Sequence, residues 1–304
     1  MDNGRNPIKI EMPVQGVTSM EEGRHSATAE GCAVLRALHQ MKAAEPRILD
    51  DPISPRLVDP EGPAYKTLLE FLERLPTANR LRLTHYLLRS RYAEDCLAEA
   101  FSRGLRQYVI LGAGLDTFAY RQPDWASDLR IFEIDHPATQ QWKRQRLADA
   151  HVSIPPNATF VPVDFEKTTV KAALPEAGFD PTASAFFSML GVSQFLTEEA
   201  LDETLDVVRT TGSSSEIVFS FVPPDDALPE DEAALTIQFA QRFGAIGEPW
   251  LTRPLPDQLR LKILKMGFST VSHLSPADAD HLYFRSRHDG LRACFMEQMM
   301  RAAA

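Results

Sequence analysis

The stretch Leu111-Gly-Ala-Gly-Leu-Asp-Thr117 has the make-up of a ligand-binding turn. Gly112 lets the chain turn sharply, and Gly114 leaves room for a ligand to approach the backbone. The β-rich run Gln107-Tyr-Val-Ile-Leu111 precedes the turn. Residues 117 to 121 read as a helix start, whose free N–H groups would face the ligand. A dinucleotide fingerprint would place a third glycine three residues after Gly114; Thr117 stands there and argues against a standard NAD site. The next β-rich run ends in Glu133-Ile-Asp135, and the third ends in Asp164-Phe165. A carboxylate at the second strand tip can accept both hydroxyls of a ribose, and it suits a ligand bearing a positive sulfonium. A carboxylate at the third can accept an adenine amino group, with a ring or backbone packed on the base. Any one of these acids alone is more often a helix cap or a solvated loop residue. Three at successive strand ends, behind one Gly-x-Gly, favour a ligand site beyond the carboxyl ends of a parallel sheet.

Other reactive types are scattered. His85, His136, His273 and His281 are candidate general bases, and no second motif selects among them, so a catalytic base is left unassigned. Cys32, Cys96 and Cys294 are odd in number and far apart. Without a Cys-x-x-Cys they indicate neither a zinc site nor a disulfide framework, and no metal is expected. Cys96 lies in an apolar helical pattern and reads as a core residue. The chain of 304 residues has a formal net charge of −10, a poor basis for nucleic-acid binding. Arg82, Arg89, Arg91, Arg103 and Arg106 lie close in sequence and read as a solvated helix face, the alternative being a local basic patch. The N-terminal residues lack the apolar run of a signal peptide, and no stretch reaches the length of a membrane span. A cytoplasmic protein without membrane or nucleic-acid partners is expected.

The elements that must position these residues follow from periodicity. Residues 1 to about 22 lack a period and read as an arm. Helices are expected over Ser26 to Met41, Tyr65 to Leu75 and Leu81 to Ser102. Five short β-rich runs follow, over 107–111, 130–135, 159–164, 184–190 and 216–222, with helical segments between most of them. The helices are 117–121, 137–150, 168–177 and 197–209. That alternation predicts a parallel sheet with helices on both faces. Pro223-Pro224 opens an acidic connection to a helix over Ala233 to Phe243; a helix at 259–267 and a strand at 268–274 come later. Periodicity leaves residues 293–300 open between strand and helix. The domain reading is an arm and helical cap over 1–103, then a core over 104–304 with a lid insertion at about 223–256. Phe71, Tyr86, Phe195 and Trp250 could wall a substrate space or be ordinary core aromatics.

The chain resembles the leucine carboxyl methyltransferase-like family, in particular its bacterial branch of O-methyltransferases, some of which act on polyketides. The matching segments are Ser26 to Ala37, Arg47-Ile-Leu-Asp-Asp-Pro52, Arg89-Ser-Arg-Tyr-Ala-Glu-Asp95, Leu111 to Arg121, Phe132-Glu-Ile-Asp-His-Pro137 and Val163-Asp-Phe-Glu166. The resemblance implies a Rossmann-like class I methyltransferase sheet, with an N-terminal helical cap and an insertion after the fifth strand. It implies S-adenosylmethionine as cofactor and a small-molecule carboxylate or phenol as acceptor. By position, Arg91 would pair with the cofactor's carboxylate. Gly112, Ala113, Gly114 and Asp116 would contact its methionine end, Asp135 with Glu133 as neighbour or rival its ribose, and Asp164 and Phe165 its adenine. Tyr120, Arg121 and Phe195 are candidates for the acceptor side. One departure is Leu190, where relatives carry Glu before Gly191; another is Phe118, where Arg is common. A protein C-terminal carboxyl methyltransferase and a non-catalytic interaction protein are the alternative readings, the latter drawing its weight from Leu190. The acceptor and the oligomeric state are not legible.

Overall fold

A computed structural model describes residues 26–43, 45–163 and 169–304. The arm expected over residues 1–22 and the third-strand tip Asp164-Phe165 lie outside the described residues. Helix α1 (Ala27–Lys42) is capped by Ser26, whose Oγ accepts the Ala29 N–H at 3.2 Å. The short α2 (Ser54–Leu57) and then α3 (Pro63–Arg74) follow, each with Pro in its first turn. The single long helix expected from Leu81 is two: α4 (Thr77–Arg82) and α5 (His85–Ser102). Tertiary bonds make the break. Thr84 Oγ1 donates to the Arg292 carbonyl at 2.6 Å, and the Arg292 N–H donates to the Leu81 carbonyl at 2.9 Å.

The strands stand close to where the β-rich runs lie. They are β1 (Gln107–Leu111), β2 (Arg130–Asp135), β3 (Ala158–Pro162), β4 (Ala185–Met189) and β5 (Glu216–Phe221). Helices α6 (Pro137–Asp149), α7 (Val170–Glu176) and α8 (Glu198–Arg209) connect them. Beyond β5 come α9 (Glu230–Ala245), α10 (Pro256–Lys265), β6 (Thr270–Leu274), α11 (Pro276–Ala279) and β7 (Gln298–Ala303). The open segment near the C-terminus is thus a strand.

The seven strands lie in the order β3-β2-β1-β4-β5-β7-β6. The first five pair in parallel; β7 is antiparallel to both neighbours. The sheet is therefore mixed rather than all parallel. Alternation along each strand sends successive side chains to opposite faces. Tyr108, Ile110, Phe186 and Val218 pack with Leu87, Ala93 and Leu97 of α5. Val109, Leu111, Phe187 and Phe219 pack with Leu174 of α7, Leu205 of α8 and Ile263 of α10. Burial of both faces explains why the strands read as unbroken apolar runs. The chain order reverses between β1 and β4, which opens a crevice at their carboxyl ends. Among the described residues, no helix is long and apolar enough to cross a membrane.

Candidate functional site

The turn after β1 fills that crevice. Gly112 and Gly114 have φ of +68° and +44°, the left-handed region that favours glycine. A Cβ on Gly112 would lie 2.5 Å from Val192 Cγ2, just beyond β4. A Cβ on Gly114 would lie 3.1 Å from Ala29 Cβ, so the first turn of α1 roofs the loop. The Ala113 N–H donates to the Ile134 carbonyl at 2.9 Å and prolongs the β1–β2 ladder. No helix begins here. Residues Phe118–Tyr120 form one 3-10 turn, capped by Asp116, whose Oδ1 accepts the Phe118 N–H at 2.8 Å. The expected helix N-terminus is thus corrected to a short turn. Asp116 is committed to that turn, and Thr117 Oγ1 donates to buried Asp51 at 2.8 Å.

Asp135 stands where the ribose acid is expected. Its Oδ2 accepts the Gly114 N–H at 2.5 Å, and its Oδ1 accepts the His136 N–H at 2.7 Å. Burial pushes its pKa up, and these two N–H groups and Lys143 only partly offset that. A carboxylate offers about four acceptor sites, so the two backbone bonds leave capacity for a diol. Glu133 is placed differently. Its carboxylate lies 2.7 Å from Lys143 Nζ of α6, both side chains fully buried, and Tyr120 Oη donates to it at 3.2 Å. Glu133 lies on the same sheet face as Asp135 but two residues inside the strand tip, so it is bound up with Lys143 of α6 rather than set at the turn.

The arginine at the crevice is Arg89, not Arg91. Arg91 is half exposed on α5 and pairs with Asp95 at 3.0 Å, one helical turn on. Tyr283 Oη donates to the same Asp95 oxygen at 2.9 Å. Arg89 is buried, and a Cβ on Gly191 (φ +73°) would overlap its guanidinium. Its Nη1 donates to both Glu297 oxygens, at 2.9 and 3.1 Å, and its Nη2 to Cys32 Sγ at 3.2 Å. The helical period carries the signal that separates them. Arg89 falls in register with buried Tyr86, Ala93, Cys96 and Leu97, whereas two residues on is about 200° round the helix.

Of the five clustered arginines, Arg91, Arg103 and Arg106 are exposed, as a solvated face requires, while Arg82 is partly buried and Arg89 is buried. Arg82 pairs with Glu232, Arg89 with Glu297 and Arg103 with Glu216, while Arg106 stacks on Phe101. Leu190 packs on the core. The carboxylate beside this strand tip comes from Glu297, just before β7, which the sequence reading did not single out. Ser220 links the two: it bonds Glu297 and accepts the Gly191 N–H at 2.7 Å.

The acceptor-side candidates divide. Tyr120 is bonded to Glu133 and lies against Lys143. Arg121 forms a two-pronged pair with Glu94, and its Nε donates to Thr117 at 3.0 Å. Both therefore hold the turn in place. Asp51 completes that support: it accepts from Arg36 at 3.2 Å and from Ser54 and Thr117, while Arg36 Nη2 donates to the Leu115 carbonyl at 2.6 Å. Phe195 lies at one end of a row of packed rings. It meets Phe243 at 6.3 Å, which in turn meets Trp250 at 5.8 Å and stacks on Phe239 at 6.0 Å; Phe71 closes the row at 5.7 Å from Phe239. Tyr86 lies apart, edge-on to His85.

Of the histidines, His85 is driven down to a pKa of about 4 by burial, and His136 caps α6. His273 bonds Gln298 at 2.7 Å, and His281 is exposed beside Arg285. Asp164 and Phe165 lie outside the described residues. Among the described residues, no group of three or more His, Cys, Asp or Glu side chains could hold a metal ion.

Known proteins share the sequence and the fold. The family model described as leucine carboxyl methyltransferase matches residues 29–209. A Bacillus subtilis protein named "Putative S-adenosyl-L-methionine-dependent methyltransferase YktD" is 37% identical over 218 residues, 68% of this chain and 68% of that protein. A Mycobacterium bovis protein named "Putative S-adenosyl-L-methionine-dependent methyltransferase" is 31% identical over 237 residues, 75% of this chain and 65% of that protein. The chain thus spans about two thirds of the length of these relatives. Among solved structures, a DUF574 family protein from Streptomyces avermitilis superposes with a TM-score of 0.54 at 16% identity, over 93% of this chain and 97% of that one. A structure from Thermobifida fusca titled as a putative methyltransferase gives 0.52 at 17%, over 79% and 88%. The two structural likenesses bear on the fold alone.

Proposed function

The chain belongs to the leucine carboxyl methyltransferase family, and on that premise we propose that it transfers a methyl group to a carboxylate or phenolic oxygen of a small molecule. S-adenosylmethionine is the methyl donor. The observation that carries the reading is the gathering at the β1–β4 crevice of a left-handed glycine turn, the Asp135 carboxylate and the buried Arg89. These residues fit the cofactor. Asp135 would accept the ribose hydroxyls, Arg89 would face the amino-acid carboxylate, and Gly112 and Gly114 would leave the backbone open to the methionine end. The bound cofactor supplies an activated methyl group on sulfur. The protein's part is to align the acceptor oxygen and exclude water.

The roof over the turn favours a small acceptor over a protein terminus. Ala29 lies on Gly114, and Ser26, at the mouth of α1, donates to Glu248 of the segment after α9 at 3.4 Å. A role in secondary metabolism accords with such a closed site. Calorimetric titration with S-adenosylmethionine tests the reading, followed by label transfer from methyl-labelled cofactor to candidate acceptors. Absence of binding at millimolar cofactor would end it. Transfer to protein termini alone would move it to the protein carboxyl class.

A further inference from the structure

We infer that the acceptor is an aromatic alcohol, a phenol held against the ring row of Phe195, Phe243 and Trp250, and that Glu248 takes its proton. The inference rests on the methyltransferase reading above and narrows its acceptor class.

Three segments bring these groups together beside the crevice. Gln194 and Phe195 lie in the 3-10 turn Ser193–Phe195 that follows the β4 tip. Phe243 comes from α9, and Glu248 and Trp250 from the loop after it. That loop is fixed in place. The Leu251 N–H donates to the Gln194 carbonyl at 2.6 Å, Thr252 Oγ1 donates to the Leu196 carbonyl at 2.6 Å, and Arg253 Nη2 donates to the Pro223 carbonyl at 2.7 Å. The Glu248 N–H donates to the Phe243 carbonyl at 2.8 Å, which ties the backbone of Glu248 to α9. Ser26 then ties Glu248 to the helix that roofs Gly114.

Within this patch three buried side-chain atoms have no hydrogen-bond partner among the described residues: Glu248 Oε2, Gln194 Oε1 and Trp250 Nε1. Buried polar atoms are nearly always paired, so three together mark a place where another molecule completes the bonding. Two of them accept and one donates. A hydroxyl on a flat ring answers both needs: its proton goes to Glu248, and its oxygen can accept from the Trp250 N–H. Phe195, Phe243 and Trp250 pack on one another and are each only partly buried, so the outer side of the row can take another ring. A carboxylate acceptor fits worse. It has no proton to give and would set its charge against Glu248 and the Gln194 carbonyl. The cation beside Trp250, Arg253 at 5.6 Å from its ring, already sits on the Asp225 carboxylate. Burial also lifts the pKa of Glu248, which brings it closer to a proton-accepting role. In the step, the phenolic oxygen forms the bond to the methyl carbon and the carbon–sulfur bond breaks, its electron pair staying on sulfur. The hydroxyl proton passes to Glu248 and on to water.

The test uses a matched pair with one ring system, 2-naphthol and 2-naphthoate, titrated into the full chain saturated with S-adenosylhomocysteine. Naphthol should bind at least about ten-fold tighter. In E248Q the amide can donate to a carboxylate, so the preference should shrink to within about three-fold, while S-adenosylhomocysteine affinity stays at the wild-type value. W250F, which keeps a ring and removes the N–H, should weaken naphthol binding without creating a preference for naphthoate. In label-transfer assays, E248Q should lose about 100-fold in kcat on naphthol with KM near wild type, the scale of lost general-base catalysis. Equal or tighter binding of naphthoate, no binding of either ring, no transfer to naphthol by the wild type, or an unchanged preference and kcat in E248Q would each overturn the inference. A chain that fails to bind S-adenosylhomocysteine at all would instead overturn the methyltransferase reading.

Discussion

Replacing Gly112 by Ala tests whether the glycine turn is dictated by conformation and close approach together. Gly112 sits at φ +68°, and placing an L-residue there costs about 1–2 kcal/mol. The new methyl would also lie 2.5 Å from Val192 Cγ2, far inside normal contact. Relieving such overpacking costs about 1–3 kcal/mol more. The sum is a destabilisation of about 2–5 kcal/mol, and the strained turn should bind S-adenosylmethionine at least about ten-fold more weakly. The two contributions can be separated. In the double variant G112A/V192A the steric part is relieved and the conformational part remains, so a double-mutant cycle should return a favourable coupling of about 1–2 kcal/mol. Urea unfolding followed by circular dichroism measures stability, and calorimetry measures affinity. A G112A protein within about 0.5 kcal/mol of wild type, or a coupling near zero, would refute the reasoning.

Other expectations follow from the same network. Asp135→Asn sets an amide NH2 against one of the two N–H donors of Gly114 and His136; cofactor affinity should drop about 10- to 100-fold with the fold retained, and unchanged affinity in titration would remove Asp135 from the ribose. Arg89→Ala leaves buried Glu297 without its arginine and should cost about 3–5 kcal/mol in denaturant unfolding, whereas Arg91→Ala should stay within about 0.5 kcal/mol and bind cofactor normally. Burial opposes ionisation of Asp51, yet Arg36, Arg121 and Ser54 outweigh it and hold its pKa below the ordinary 3.8. A depressed folded pKa means that its stabilisation is complete above that value and is lost as pH falls through the lower one. The acid-unfolding curve of Asp51→Asn should therefore be shallower than wild type below about pH 4, and parallel curves would show that Asp51 has no such role.

The sequence by itself determined the elements and the turn. Both faces of the sheet are covered, so β1, β2, β4 and β5 show as apolar runs whose limits can be read directly, and Gly-x-Gly marks a break that only glycine geometry permits. Asp135 was legible because a strand end fixes where its side chain emerges. The partners of the other charged groups were not. Glu133 and Asp135 share one face of the sheet and differ in depth: the inner one meets Lys143 of α6, and the one at the strand tip meets the turn. Arg89 and Arg91 differ by half a turn of helix, and the packed side of α5 decides which is buried. The helix period could have separated that pair. No local pattern could have brought Glu297 to Arg89 across 208 positions, or Glu248 to Ser26 across 222. The antiparallel entry of β7 between β5 and β6 belongs with these, since a strand's direction depends on the edge it joins. Local backbone preference and burial period act over a few residues and are written in the chain; the pairing of buried charges depends on which distant segments share one low-dielectric space, and only the folded packing sets that.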